Sequence, residues 1–326
     1  VGMNSLVANT TGANNTAVGM NSLAANTTGA TNSAFGNYAL YTNTTASNNM
    51  AFGYNALGLN TTGGNNVAMG RDALLNNTTA NDNTAIGKDS LRTNTTGGNN
   101  TAVGQQSLYS NTIGASNTVV GKDALYKNTE GASNTAIGRG ALQCNTTASS
   151  NTAIGFCSLF ANSTGANNTT VGSKALLNNT TGAENSAVGT QALTTNSTGC
   201  RNTGIGRNAL YSNTTACNNT AVGYDSLFSN STGTSNVAIG CGALDANTTA
   251  NNNTAVGFNS LGANTTGTDN TAVGHCAMVS NTTGTYNVAV GCSSLLNNTE
   301  GTDNQAIGNK ALCVNTTGSN NTAIGR

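Results

Sequence analysis

VGMNSLVANTTGANNTA, Val1 to Ala17, is followed without a break by VGMNSLAANTTGATNSA, Val18 to Ala34. The Val-Gly pair at Val1 returns at Val18, so the period is 17, and apolar-Gly pairs then recur at Phe35, Phe52, Met69 and onward to Ile307 and Ile324. Since 19 × 17 = 323, the 326 residues are 19 units and the start of a twentieth. The chain is read as a single repeat array over 1–326. It begins and ends inside a unit, without the atypical end repeats that cover the faces of a free-standing array, so it is expected to be a segment of a longer molecule, lacking capping and anchoring domains.

Numbering the phases of each unit from Val1, phase 2 is always Gly, and phases 9 and 15 are always Asn. Phase 6 is Leu except for Met278, phase 5 is Ser or Ala, and phase 12 is Gly or, in five units, Ala. Phases 3, 4, 7, 8, 13 and 14 accept residues as different as Arg71, Asp72, Tyr54, Phe156, Lys127 and Cys200, and are expected to face outward. This pattern predicts an all-β parallel solenoid in which each unit makes one coil and each phase stacks on itself about 4.8 Å away. Nineteen such coils would reach roughly 90 Å if each advances by one strand spacing.

Asn15 to Gly19 reads as a short strand. Phase 16 accepts Val67, Val237, Val288 and Met50 besides Thr, and phase 1 is β-branched, Phe or Met. Both phases are therefore expected to face the core, with the small Ala between them pointing the other way. A second strand is expected around phases 5 and 6, its Leu opposite the Val or Ile. Helix loses on every count: β-branched residues, Gly and Asn-Thr-Thr-Gly weaken it in each unit, and 17 residues cannot hold two helices with their turns. A core of one Val or Ile, one Leu and some Ala and Thr per unit is thin at roughly 25 cal/mol per Å² of buried apolar surface. Three supplements are expected: backbone pairing along the array, ladders of Asn amides bonding the same amide in neighbouring coils (Asn9, Asn26 and Asn43; Asn15, Asn32 and Asn49), and association of several chains that covers a leftover apolar face.

Composition excludes much else. With 11 Lys+Arg, 11 Asp+Glu, one His and 7% charged residues, little is available for acid/base chemistry, and no basic patch could bind nucleic acid. No apolar run approaches the 18 residues of a membrane span. His275 beside Cys276 could suggest a metal pair, but no carboxylate lies close to it in the same or next unit, and neighbouring residues on a strand point apart, so a surface role is expected. Asp72, Asp89, Asp123 and Asp225 share phase 4, commonly after a basic or polar residue, as in Lys88-Asp89 and Lys122-Asp123. They read as solvated ion pairs, because a calcium roll needs Asp in every coil. No catalytic motif, metal site or cofactor site is assigned.

Among eight cysteines, Cys200 and Cys217 share phase 13 in consecutive units. Stacking would hold their Cα atoms near 4.8 Å, within the disulfide range of roughly 4.4–6.8 Å, so they are the candidate disulfide. Asn-x-Ser/Thr recurs at phase 9 in 16 of 19 units and makes Asn9, Asn26, Asn43, Asn60, Asn77 and Asn94 candidate glycosylation sites. The competing reading is turn chemistry, in which Asn makes an Asx-turn and Gly supplies a positive φ. Units with Ile113, Glu130 or Glu300 at phase 11 lose the sequon and keep the Asn, which favours the structural role.

The strands Ser235-Asn236-Val237-Ala238-Ile239-Gly240 and Tyr286-Asn287-Val288-Ala289-Val290-Gly291 resemble the strand of the head repeats in trimeric autotransporter adhesins of the YadA type. The whole unit is also similar to repeats of phage and bacterial surface-fibre proteins. The resemblance implies a left-handed parallel β-roll, three identical chains around one axis, and an extracellular fibre or adhesin head. Head repeats of that family are usually shorter, and here Asn-Thr-Thr-Gly lengthens one loop. The leading expectation is a non-enzymatic, stiff segment of a fibre or adhesin at a cell or virion surface, self-associating as a homotrimer and displaying its surface repeatedly. The alternatives are an ice-binding solenoid, using Thr-Thr at phases 10 and 11, and a glycan-binding one, using scattered aromatics such as Tyr54, Phe156, Tyr211, Tyr224 and Phe258.

Overall fold

A computed structural model describes residues 1–326, which divide into two compact units, Val1–Ala166 and Asn167–Arg326. Each is an all-β parallel solenoid with 17-residue coils. The first carries nine three-residue strands, from Thr16–Val18 to Thr152–Ile154, and the second carries ten, from Thr169–Val171 to Thr322–Ile324. Within each unit, strands pair in parallel with like phases opposed: Thr16 with Ser33, Ala17 with Ala34 and Val18 with Phe35 in the first, Thr169 with Ser186 and Val171 with Val188 in the second. No helix is present that could cross a membrane.

The strand is turned over relative to expectation. Ala34, Ala51, Ala68 and Ala85 are fully buried, whereas Met50 and Phe52, on either side of Ala51, are 42% and 54% exposed. Phase 17 thus faces the core, and phases 16 and 1 face out. The reason is depth. Each coil is one Leu side chain thick: a Cβ added at Gly204 (phase 17) would lie 3.4 Å from Leu193 Cδ1 of the same coil, so the space between the strand and the Leu suits Ala, with only Val119 and Thr170 larger there.

Phases 5 and 6 are not a second strand. Phases 3 to 8 form a run of turns whose N–H groups reach both neighbouring coils, phase 4 the preceding one and phases 6 and 8 the next. Asn21 N–H donates to Met3 O at 2.9 Å, while Leu23 N–H donates to Ala39 O at 3.0 Å. Phases 4 and 6, whose N–H groups go to opposite neighbours, lie at positive φ, as at Asn21 (56°) and Leu23 (50°), in every full coil. Asn, Asp and Gly at phase 4 tolerate it. Leu does not, at roughly 1–2 kcal/mol for a left-handed L-residue, but full burial of its side chain contributes about 1.5–3 kcal/mol, enough to hold the conformation. Leu23, Leu40, Leu57 and their equivalents are completely buried in all but the two terminal coils, where Leu6 and Leu312 are half-buried.

Two Asn columns complete the interior. At phase 9, Asn26 Nδ2 donates both to Asn9 Oδ1 of the preceding coil and to Gly29 O of its own loop, each at 2.9 Å; Asn43 and Asn60 repeat this. Phase 15 keeps the expected amide-to-amide ladder in several coils, as where Asn32 Nδ2 donates to Asn15 Oδ1 at 3.2 Å and Asn117 Nδ2 to Asn100 Oδ1 at 3.1 Å, and adds backbone partners to it. Asn32 N–H donates to Asn15 Oδ1 at 2.9 Å, and Asn15 Nδ2 donates to Gly29 O of the next coil at 2.7 Å, a pattern repeated at Asn32 and Asn49. The phase 12 carbonyl therefore receives one proton from each column. Such full satisfaction lets buried amides stabilise the coil, since an unpaired one costs about 1–3 kcal/mol.

Candidate interaction surface

The outward face of the strands is the surface the sequence reading missed. In the first unit, phase 1 presents Val18, Phe35, Phe52, Met69, Ile86, Val103, Val120, Ile137 and Ile154; in the second, only Val and Ile occur there, as at Val171, Ile205 and Ile307. Beside them run the phase 16 residues, mostly Thr, with Met50, Val67, Val237 and Val288 adding apolar surface. Exposure of the β-branched phase 1 side chains stays close to 40% from coil to coil, for example 38% at Ile86 and 41% at Ile239. Neither phase carries a charge in any unit. A signal for this orientation was present in the sequence: phase 17 is almost always Ala, which marks a space of fixed size, whereas phase 1 accepts Val, Ile, Met and Phe, which only an unfilled side tolerates.

The turn phases hold the charged and aromatic residues in short columns. Arg71 meets Asp72 at 3.2 Å, Lys88 and Arg92 meet Asp89 at 3.8 and 3.7 Å, and Lys122 meets Asp123 at 4.0 Å. Asp72, Asp89 and Asp123 thus make the local pairs expected, each contributing about 0–1 kcal/mol, whereas Asp225 makes no ion pair and accepts instead from Asn208 Nδ2 at 2.9 Å. Tyr109 stacks on Tyr126 and Tyr211 on Phe228, with ring centroids 5.1 Å apart in both cases. His275 stacks on Phe258 at 5.3 Å, and its Nε2 lies 4.0 Å from Cys276 Sγ, because the two residues sit in a turn and not on a strand. Burial, and then the charge of Asp225, raises the Asp245 carboxyl above its ordinary range. Exposed aromatics such as Tyr54, Phe156, Tyr224 and Phe258 lie in different coils and form no single site.

The phase 9 sequons fall in the wrong place for sugar. Asn26, Asn43, Asn60, Asn77 and Asn94 are fully buried, and Asn9 in the first coil is half-buried. Their Nδ2 atoms, to which a glycan would attach, already donate within the coil, as Asn77 does to Asn60 Oδ1 and Ala80 O. The glycosylation reading is corrected accordingly: the motif recurs because the turn needs Asn. The following Thr has a role of its own, since Thr27 Oγ1 donates to Thr44 O at 3.1 Å and Thr61 Oγ1 to Thr78 O at 2.9 Å. Phase 10 hydroxyls used in this way leave only phase 11 of the Thr-Thr pair free for an ice lattice.

Cys200 and Cys217 are brought together as expected, with their sulfurs 2.9 Å apart. The hydrogen bond with Cys217, and then burial, raises the Cys200 thiol, so thiolate is scarce at neutral pH and unassisted oxidation is slow. Diamide is expected to close the pair, its azo group taking the two protons and two electrons as the S–S bond forms. Thiol titration should then lose two of the eight thiols, and a Cys200→Ser variant should lose none; unchanged thiols in the parent chain would refute the pairing. Compared with protein-family models and with curated proteins, the sequence matches none.

Proposed function

We propose that this chain is a structural segment of a fibre or adhesin on a cell or virion surface, working as a stiff rod and self-associating, as a homotrimer, through the outward face of its strands. The observation that carries this reading is the uncharged stripe of phases 16 and 1, apolar at phase 1 and mostly Thr at phase 16, renewed in every coil. A second copy of the chain repeats its side chains at the same spacing, which no unrelated flat surface does. Three copies close such a one-sided stripe around an axis, as the resemblance to trimeric adhesin heads implies.

Light scattering of the full chain is expected to give three times the protomer mass of 32.3 kDa. Ile86→Lys with Ile137→Lys, both on the exposed face, should lower it to one protomer without changing the circular dichroism. A parent chain that runs as a single protomer would overturn the association. One alternative has an observation of its own: Thr at phase 16 beside Val or Ile in most coils is the kind of flat array that an ice lattice requires. Thermal hysteresis from a monomeric chain would favour that reading over the fibre.

A further inference from the structure

Along a face that repeats every coil, two copies could lie side by side at any whole-coil offset with nearly the same contacts, each step being about one strand spacing of 4.8 Å. The face is not uniform everywhere. In three consecutive coils of the first unit, phase 1 carries Phe35, Phe52 and Met69, and the strand of Phe52 also carries Met50 at phase 16. Phe35 and Phe52 stack with centroids 5.1 Å apart, and Met50 and Phe52 are 42% and 54% exposed. Every other phase 1 residue of both units is Val or Ile. The second unit has no Phe or Met at either phase.

From this we infer that Phe35, Met50, Phe52 and Met69 form an axial key that sets which coil of one copy lies against which coil of another. This rests on self-association through the strand face, as proposed above. At zero offset the blocks of the copies meet, so aromatic rings and pliable thioethers pack on one another, with the favourable geometry that such groups find together. The remaining coils then match Val and Ile with Val and Ile. At an offset of one or two coils part of each block, and at three or more the whole of it, lies on β-branched side chains, which are stiff about χ1 and cannot make room for it. The block thus removes a degeneracy that the repeat itself creates.

The test uses the full chain with Ile154, an exposed phase 1 residue remote from the block, replaced by a benzophenone-bearing amino acid. Parent and ¹⁵N-labelled chains are assembled together, irradiated, and the mixed-isotope cross-links mapped by mass spectrometry. Capture within one coil of residue 154 on the partner copy is expected. A reset variant, Phe35→Val, Met50→Thr, Phe52→Val and Met69→Val, carries the residues most coils have at those phases. It should assemble to the same mass with cross-links spread over several offsets. Adding Val103→Phe and Val120→Phe to the reset variant should restore a single offset and controls for a general loss of packing. A reset variant that keeps one offset, or a parent chain that shows many, overturns the key while leaving association intact. A monomeric parent chain overturns the association itself.

Discussion

Asn111→Asp is expected to destabilise the first unit by about 3–5 kcal/mol at neutral pH, the cost of a buried charge without a partner. Asn111 is fully buried and donates from Nδ2 to Asn94 Oδ1 and to Gly114 O, both at 2.8 Å, while its Oδ1 accepts from Asn128 Nδ2 at 2.9 Å. A carboxylate keeps the last bond and turns the other two into contacts between oxygen acceptors. Burial and those two oxygens both favour the protonated acid, so its folded pKa lies above its unfolded value near 4. The folded state then binds more protons than the unfolded one, and stability falls as pH rises. The deficit relative to the parent should be smallest below about pH 4, where the acid is protonated in both states, and should grow toward neutrality. Urea melts at several pH values check this. A pH-independent deficit would mean that the site is open to water. Asn111→Leu, which adds no charge, should cost about 2–4 kcal/mol at every pH, from the partners left unpaired.

Gly121→Ala should cost about 3–5 kcal/mol in the same unit, adding strain of about 1–3 kcal/mol from a disallowed backbone to a similar penalty for overpacking. Gly121 lies at φ +138°, where L-residues rarely go, and a Cβ there would stand 2.6 Å from Gly138 O of the next coil. That oxygen belongs to backbone held by its own pairing, so it cannot swing aside as a side chain could. Gly140 is the control: its φ of +65° is shared by Asn at the same phase in other coils, and its nearest neighbour is the flexible Gln143 Oε1 at 3.3 Å. Gly140→Asn should stay within about 1 kcal/mol of the parent, as a surface change does. Thermal melts of the two variants side by side make the comparison, and equal effects would show that phase 2 Gly is not required by coil stacking.

Legibility varied with the kind of constraint. The Asn at phase 9 and the Gly at phase 2 could be picked out because a position that stacks on itself in every coil admits only a residue that satisfies its own copy. The pairing of Cys200 with Cys217 followed from the same logic, phase on phase. The turn at phases 3 to 8 was not legible, because a Leu at positive φ has no local sequence signature: its conformation is imposed by N–H groups that must reach both neighbouring coils. The sequon at Asn26 or Asn60 was legible as a motif and misleading as chemistry, since a tripeptide says nothing of whether Nδ2 faces water.

The 17-residue period, the all-β character and the in-register stacking were determined by the sequence alone, because a strict repeat leaves each coil identical neighbours to pair with and nothing else so well matched. Which side of the three-residue strand turns inward was decided only in three dimensions. Alternation along a strand offers two faces, and hydrophobicity favoured the one with Val and Ile. The space left beside a buried Leu, as between Leu193 and Gly204, is filled by Ala in nearly every coil, Val119 and Thr170 being the larger exceptions. Volume outweighed apolar character, and the aliphatic residues were left on the surface, where the proposed assembly takes place.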